Sequence, residues 1–213
     1  MSSVTNQTSG SMTGAEHHAV ATARSFIGAA HESVGRLRGE APRLARWAGL
    51  LKTCLDAGGT VLTAGNGGSA AHAAHLAGEL SGRFLADRPP LRAVCLASDG
   101  PTVTAIANDY GYEEVFARQV RALARPGDVV VLFSTSGRSP NVVAAARAGR
   151  HCGAVTLAFT GPGPNPLGDL TDDAIAPTAA NTASIQDAHH VALHALCAAL
   201  DELLGVRLPE VTS

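Results

Sequence analysis

Apolar positions recur at helical spacing in two N-terminal stretches. Residues 15–37 place Val20, Ala23, Phe26, Ile27 and Ala30 on a period near 3.6, and residues 42–57 do the same with Leu44, Trp47, Leu50, Leu51 and Leu55. Pro42 opens the second stretch and Gly58-Gly59 closes it, so the two predict a helical hairpin. Beyond residue 60 the pattern changes. Short runs of strand formers at 60–64, 92–97, 129–133 and 155–159, with a fifth near 173–176, alternate with helical stretches at 69–84, 101–107, 112–124, 140–152 and 182–204. Residues 161–168 are rich in Gly and Pro and read as a loop. Strands that alternate with helices pair in parallel through right-handed crossovers. The prediction is an α/β fold: a doubly wound, five-stranded parallel sheet preceded by the helical hairpin. Residues 1–14, rich in Ser, Thr and Gly, read as a disordered tail, and 15–213 as one domain.

In such a sheet, ligands bind beyond the carboxyl ends of the strands. Two turns rich in glycine and hydroxyls fall there. Gly65-Asn66-Gly67-Gly68-Ser69 follows the first strand. Its glycines let the backbone approach a ligand closely, and Ser69 can cap the next helix or meet a phosphate. The spacing is neither G-x-G-x-x-G nor a P-loop, yet an ordinary β–α turn needs fewer glycines. Ser134-Thr135-Ser136-Gly137-Arg138-Ser139-Pro140-Asn141 follows the third strand. Gly137 permits a tight turn, Ser139 stands at an N-cap position and Pro140 at the first helical position. Ser139 alone would satisfy a cap. The further hydroxyls of Ser134, Thr135 and Ser136, aimed at a helix N-terminus, predict a bound phosphate and so a phosphorylated small molecule.

Candidate chemistry also lies on the helices. His75 and Glu79, four apart, share a helix face and can hold a divalent metal or act as an acid/base pair, although most such pairs are only surface pairs. His72 reads as solvent-facing. Gln186 and His194 on the last helix are eight apart, about 80° around it and ~12 Å along it. His190 sits one turn from each, with His189 beside it, so spacing alone does not choose among them. Asn108-Asp109 reads evenly as an Asx turn or as a pair of ligands for sugar hydroxyls.

Composition narrows the choice of partner. A net charge of −2 offers nucleic acid no electrostatic footing. The four cysteines are scattered without a C-x-x-C, which reads as free thiols in a reducing cytosol. No apolar run reaches the ~18 residues of a membrane span, and the polar first twenty residues lack a signal-peptide core. The expectation is a cytoplasmic protein with neither membrane nor nucleic-acid partner.

The motifs G-N-G-G-S at 65–69, H-x-x-x-E-L-x-G-R at 75–83, A-N-D-Y-G-Y at 107–112, S-T-S-G-x-S-x-N at 134–141 and I-Q-x-x-H-x-x-x-x-H at 185–194 resemble the sugar-isomerase (SIS) domain, and within it the phosphoheptose isomerases. The resemblance covers roughly residues 40–205. It implies an aldose–ketose isomerase that takes sedoheptulose 7-phosphate to D-glycero-D-manno-heptose 7-phosphate through an enediolate, in nucleotide-activated heptose biosynthesis. It implies substrate contacts at Asn66, Gly67, Gly68, Ser69, Glu79, Arg83, Asn108, Asp109 and Gln186, and phosphate contacts at Ser134, Thr135, Ser136 and Ser139. It further implies zinc held by His75, Glu79, Gln186 and His194, with Glu79 and His194 as the acid/base pair. A homotetramer with active sites between subunits is implied too. The ~12 Å rise between Gln186 and His194 means that both reach one ion only if their side chains stretch toward each other or come from different subunits.

Two positions depart from the family pattern. Ser184 stands where an arginine is common, and Ala64 where a cysteine is. One relative, a replication-initiator-associating protein, uses this fold to bind a protein and lacks the carboxylate and histidine found here at Glu79 and His194. An enzyme is therefore expected. That non-catalytic module and an isomerase of another phosphosugar are the alternatives.

Overall fold

The computed structural model describes residues 12–207; residues 1–11 of the expected tail lie outside the described residues. Helix α1 (Gly14–Arg36) begins at Thr13. The Thr13 hydroxyl accepts from the Glu16 N–H while the Glu16 carboxylate accepts from the Thr13 N–H, a reciprocal cap. A 3-10 turn over Leu37–Glu40 leads into α2 (Ala41–Asp56), and both helices pack on the last one, α8 (Thr182–Leu203).

Strands β1 (Val61–Gly65), β2 (Ala93–Cys95), β3 (Val129–Ser134), β4 (Val155–Thr160) and β5 (Asp173–Ile175) form one parallel sheet in the order β2-β1-β3-β4-β5. The central strands are covered on both faces, which is why they read as mainly apolar runs, with only Thr63 and Thr156 as internal polar residues. Alternation still sorts their side chains. Val61, Val131, Phe133 and Phe159 point to one layer, where they meet Trp47 of α2, Leu76 of α3 (Gly68–Ser81) and Leu193 of α8. Leu62, Val130 and Leu132 point to the other, where they meet Phe116 of α5 (Glu114–Leu123), Val142 of α6 (Pro140–His151) and Leu167 of α7 (Pro166–Leu170). Phe133 stacks on Phe159 with ring centroids 4.7 Å apart, and Trp47 meets Phe159 edge-on at 5.0 Å while donating to Asp173 at 2.8 Å. Helix α4 (Gly100–Tyr110) links β2 to α5.

The strand order reverses between β1 and β3, so the crevice beyond their carboxyl ends is the topological switch point. Both glycine- and serine-rich turns sit there, as expected. Three details differ from the sequence reading. Helix α7 replaces part of the expected 161–168 loop, because the Asn165 side chain accepts from the Gly168 N–H at 2.9 Å and Pro166 fills the first turn. Helix α3 stops at Ser81 rather than near 84: Gly82 turns the chain, and the Arg88 guanidinium folds back onto the carbonyls of Glu79 at 2.6 Å and Leu80 at 2.9 Å. Strand β2 is shorter than expected because it lies at the sheet edge. Among the described residues, no helix is long and apolar enough to cross a membrane.

Candidate active site

The first turn is built around Asn66. Gly67 caps α3 with φ +54°, a value that glycine adopts without strain. Asn66 and Asn141 form a reciprocal amide pair, each Nδ2 donating to the other's Oδ1 at 2.8 Å. The Tyr112 hydroxyl donates to Asn66 Oδ1 at 3.0 Å. Asn141 lies in the first turn of α6, so this pair ties the turn after β1 to the turn after β3. Neither Asn141 nor Tyr112 was an expected site residue, although each lies inside a quoted motif.

The second turn presents hydroxyls. Ser139 holds the N-cap position of α6 but makes no cap bond with its side chain. Its Oγ lies 3.1 Å from Ser134 Oγ, which in turn lies 3.5 Å from Ser136 Oγ. Hydroxyls not used for capping, gathered at a helix N-terminus, form a cradle for an anion. The back of this turn is pressed tightly. A Cβ on Gly137 (φ +60°) would fall 1.9 Å from Asn165 Oδ1, and one on Gly161 would fall 1.9 Å from the Thr135 carbonyl oxygen.

Helix α3 runs from this crevice along α8. It carries His72, His75 and Glu79, and α8 carries Gln186, His190 and His194. His75 Nε2 lies 2.9 Å from Glu79 Oε1 and 3.0 Å from His194 Nε2. The His190 ring stands 4.9 Å from that of His75 and 4.5 Å from that of His194. One ligand atom from each of His75, His190 and His194 lies within 4.8 Å of the others. Converging imidazoles beside a carboxylate are the donor chemistry that a zinc ion takes. Gln186 lies at the crevice end of the groove: a Cβ on Gly68 would fall 2.5 Å from its Nε2.

His72 corrects an expectation. It is half-buried rather than solvent-facing, with its ring 5.4 Å from His190 and 6.2 Å from Phe133 and its Nδ1 buried without a partner. The reason is the presence of α8 against that side of α3. Burial, followed by the neighbouring His190 and His75, holds the His72 imidazolium below its ordinary pKa, and the same causes act on His194. Both rings therefore favour the neutral form that metal binding and proton transfer require.

The remaining expected residues fall in different places. Ser69 is buried inside the first turn of α3, and Gly67 rather than Ser69 is the cap. Arg83 is exposed beyond α3 and donates to the Leu85 carbonyl at 3.2 Å. Asn108 and Asp109 are exposed in the last turn of α4, where Asn108 Nδ2 donates to Asp109 Oδ1 at 2.9 Å, so they end a helix and form no Asx turn before one. Among the described residues, no hydrogen bond ties these three to either turn. Two further groups are buried behind the groove, the first missed by the sequence reading and the second left undistinguished there from its neighbours on α8. Arg88 pairs with Asp201 at 2.8 Å. His189 donates to the Thr160 carbonyl at 2.9 Å, and burial pushes its pKa down to about 4.

Comparison with known proteins bears on this arrangement. The SIS-domain family profile matches residues 25–161. The phosphoheptose isomerase of Streptomyces coelicolor is 50% identical over 172 residues, 81% of this chain and 74% of that protein. That of Rhodospirillum rubrum is 42% identical over 181 residues, 85% of this chain and 96% of its own. Among solved structures, a phosphoheptose isomerase from Neisseria gonorrhoeae is similar with a TM-score of 0.77 at 36% identity, covering 88% of this chain and 98% of that one.

Proposed function

The chain belongs to the SIS-domain family, and we propose that it is a phosphoheptose isomerase, converting sedoheptulose 7-phosphate to D-glycero-D-manno-heptose 7-phosphate for nucleotide-activated heptose biosynthesis. One observation carries the catalytic reading. Glu79 on α3 and His194 on α8 meet at the same nitrogen of His75, at 2.9 and 3.0 Å. This supports a reading in which a carboxylate and an imidazole act together from one groove.

In this reading the substrate phosphate is held by Ser134, Thr135, Ser136 and Ser139. Gly67, Gly68 and Ser69 bring the positive end of α3 near it, and Asn66 and Gln186 contact the sugar. Anchoring the phosphate far from the reacting carbons supplies positioning. Glu79 removes the carbon-bound proton between C1 and C2. His194 moves protons on the two oxygens as the enediolate forms and collapses. His75, Glu79 and His194 fit a zinc ion, a set that the family resemblance extends to Gln186. When bound, zinc supplies Lewis-acid stabilisation of the enediolate's negative charge.

A homotetramer with active sites between subunits is supported by α1, which leaves Phe26 54% and Ile27 69% exposed, a face that a second copy would cover. In such an assembly the exposed Arg83, Asn108 and Asp109 serve a site shared with a neighbour. The free thiols Cys54, Cys95, Cys152 and Cys197 support a cytoplasmic location.

The test is a panel of five-, six- and seven-carbon ketose phosphates, run on the wild type and on Glu79→Gln. The seven-carbon substrate should turn over fastest. Glu79→Gln should lose about 10²–10⁴ in kcat while still binding the sugar phosphate. Near-normal turnover by that variant removes Glu79 from the mechanism, and a wild type inert toward the whole panel would instead support the non-catalytic module.

A further inference from the structure

We propose that Asn141 and Tyr112 are positioning residues for the substrate: with a backbone N–H of α6 they lock the Asn66 amide in one orientation, so that Asn66 meets the sugar as a hydrogen-bond donor only. The proposal rests on the sugar-phosphate reading above and specifies what the first turn asks of its ligand.

The orientation follows from matching donors to acceptors. A reciprocal amide pair such as Asn66–Asn141 is satisfied by two arrangements, which interconvert when both amides flip together. The Val142 N–H chooses between them. It is a backbone donor in the first turn of α6, fixed by the helix, and it meets Asn141 Oδ1 at 3.0 Å while also reaching the Ser139 carbonyl at 3.1 Å. Flipping both amides would set Asn141 Nδ2 against that N–H, donor against donor. Asn141 is only 2% exposed, so water does not make good the lost bond. Asn141 therefore turns its Nδ2 to Asn66 Oδ1 at 2.8 Å, and the Tyr112 hydroxyl fastens the same oxygen from the other side at 3.0 Å. Tyr112 lies between α4 and α5, so its bond also ties that connection to the first turn.

The consequence for a ligand is specific. An amide oxygen has two lone pairs and an amide nitrogen two hydrogens. Asn66 Oδ1 uses both lone pairs inside the protein, on Asn141 and Tyr112. One Nδ2 hydrogen goes to Asn141 Oδ1, and the other makes no hydrogen bond among the described residues. Asn66 is half-buried beyond the carboxyl end of β1, and a Cβ on the adjacent Gly67 would meet nothing within 4 Å, so the turn is open there. What reaches Asn66 must accept: a carbonyl, hydroxyl or oxyanion oxygen of the sugar. A donor held in place beforehand loses little on binding.

The experiment measures binding of sedoheptulose 7-phosphate by calorimetry to full chains carrying Glu79→Gln to suppress turnover. To this parent are added Tyr112→Phe, Asn141→Ala or Asn66→Ala, and Asn66→Ala with each of the other two. Inorganic phosphate, as competitor, reports on the hydroxyl turn alone. Tyr112→Phe should weaken the sugar phosphate about three- to tenfold and Asn141→Ala at least about tenfold, with inorganic phosphate bound as before. On Asn66→Ala, either substitution should change affinity less than about twofold, because nothing remains to be positioned. With Glu79 restored, the same substitutions should raise KM more than they lower kcat. Tyr112 is 58% exposed, so its variant carries the test even where Asn141→Ala fails to fold. A merely structural role would weaken both anions alike and add in full on Asn66→Ala. Either result overturns the proposal, as does parental affinity in Tyr112→Phe. A parent that binds inorganic phosphate but no sugar phosphate removes the sugar-phosphate reading and this proposal with it. That result appears in the parent, before any variant is compared, so the two failures are distinct.

Discussion

Replacing Arg88 with Met removes a guanidinium whose side chain is 2% exposed and which pairs at 2.8 Å with Asp201, itself 1% exposed. The same guanidinium donates to the carbonyls of Glu79 and Leu80 at the end of α3. Asp201 Oδ2 already lacks a partner, so the substitution leaves a bare carboxylate in the core. Deleting one partner of a buried pair costs about 3–5 kcal/mol. At about 2–4 °C per kcal/mol for a chain of this size, Tm should fall by about 6–20 °C. Replacing both partners, as Arg88→Met with Asp201→Leu, removes the uncompensated charge and should recover most of that loss. Kinetics should move as well. The glycine turn lies at the start of α3, the hydroxyl turn lies at the start of α6, and Glu79 lies in the last turn of α3, so loosening the C-terminal end of α3 should lower kcat more than it raises KM. Urea and thermal unfolding at one protein concentration, together with steady-state kinetics, check each part. A single variant within about 1 kcal/mol of wild type, or a double variant no more stable than the single, refutes the reasoning.

Acidification should expose His189. Its native pKa of about 4 lies below the ordinary 6.5, so between those values the unfolded chain binds a proton that the native chain does not. Stability is therefore full above about pH 6.5 and falls toward pH 4, by up to about 1.4 kcal/mol per pH unit. His72 and His194 are displaced in the same direction, so His189→Gln should flatten the slope in part; an unchanged slope in denaturant titrations counts against this origin. Gly137→Ala must adopt φ +60° and place its Cβ against Asn165, which costs at least about 1–2 kcal/mol and should raise KM for the sugar phosphate. An unchanged KM would mean that the hydroxyl turn does not hold the phosphate.

Much of the architecture was readable because burial on both faces leaves a simple trace. Strands β1, β3 and β4 are apolar runs, interrupted internally only by Thr63 and Thr156, set between helical stretches, and that alternation implies parallel pairing whatever the details of packing. What escaped had weak local signals. Helix α7 is a single short turn whose Asn-Pro start was submerged in a glycine-rich segment. The end of α3 is set by Arg88, six residues beyond Gly82 and unmarked by any helical period.

The same division runs through the site. The Ser134–Ser136–Ser139 hydroxyl cluster and the His75–Glu79 pair were legible because a turn and a helix bring near residues together by their own geometry. The misreading of His72 shows where that logic ends. Three residues before His75 is 300° of helix rotation, so His72 lies only about 60° off the His75 face. On a lone helix that offset looks like the route to solvent. Against α8 it points at His190, and the two rings close to 5.4 Å. His190 carried a signal of its own, one turn from both Gln186 and His194, but α8 alone leaves these residues equivalent. Only the packing of α3 against α8 separates them, placing Gln186 at Gly68 and the His190 ring against those of both His75 and His194. The imidazole cluster of the groove is thus a property of two helices packed together, which the spacing along either helix alone does not contain.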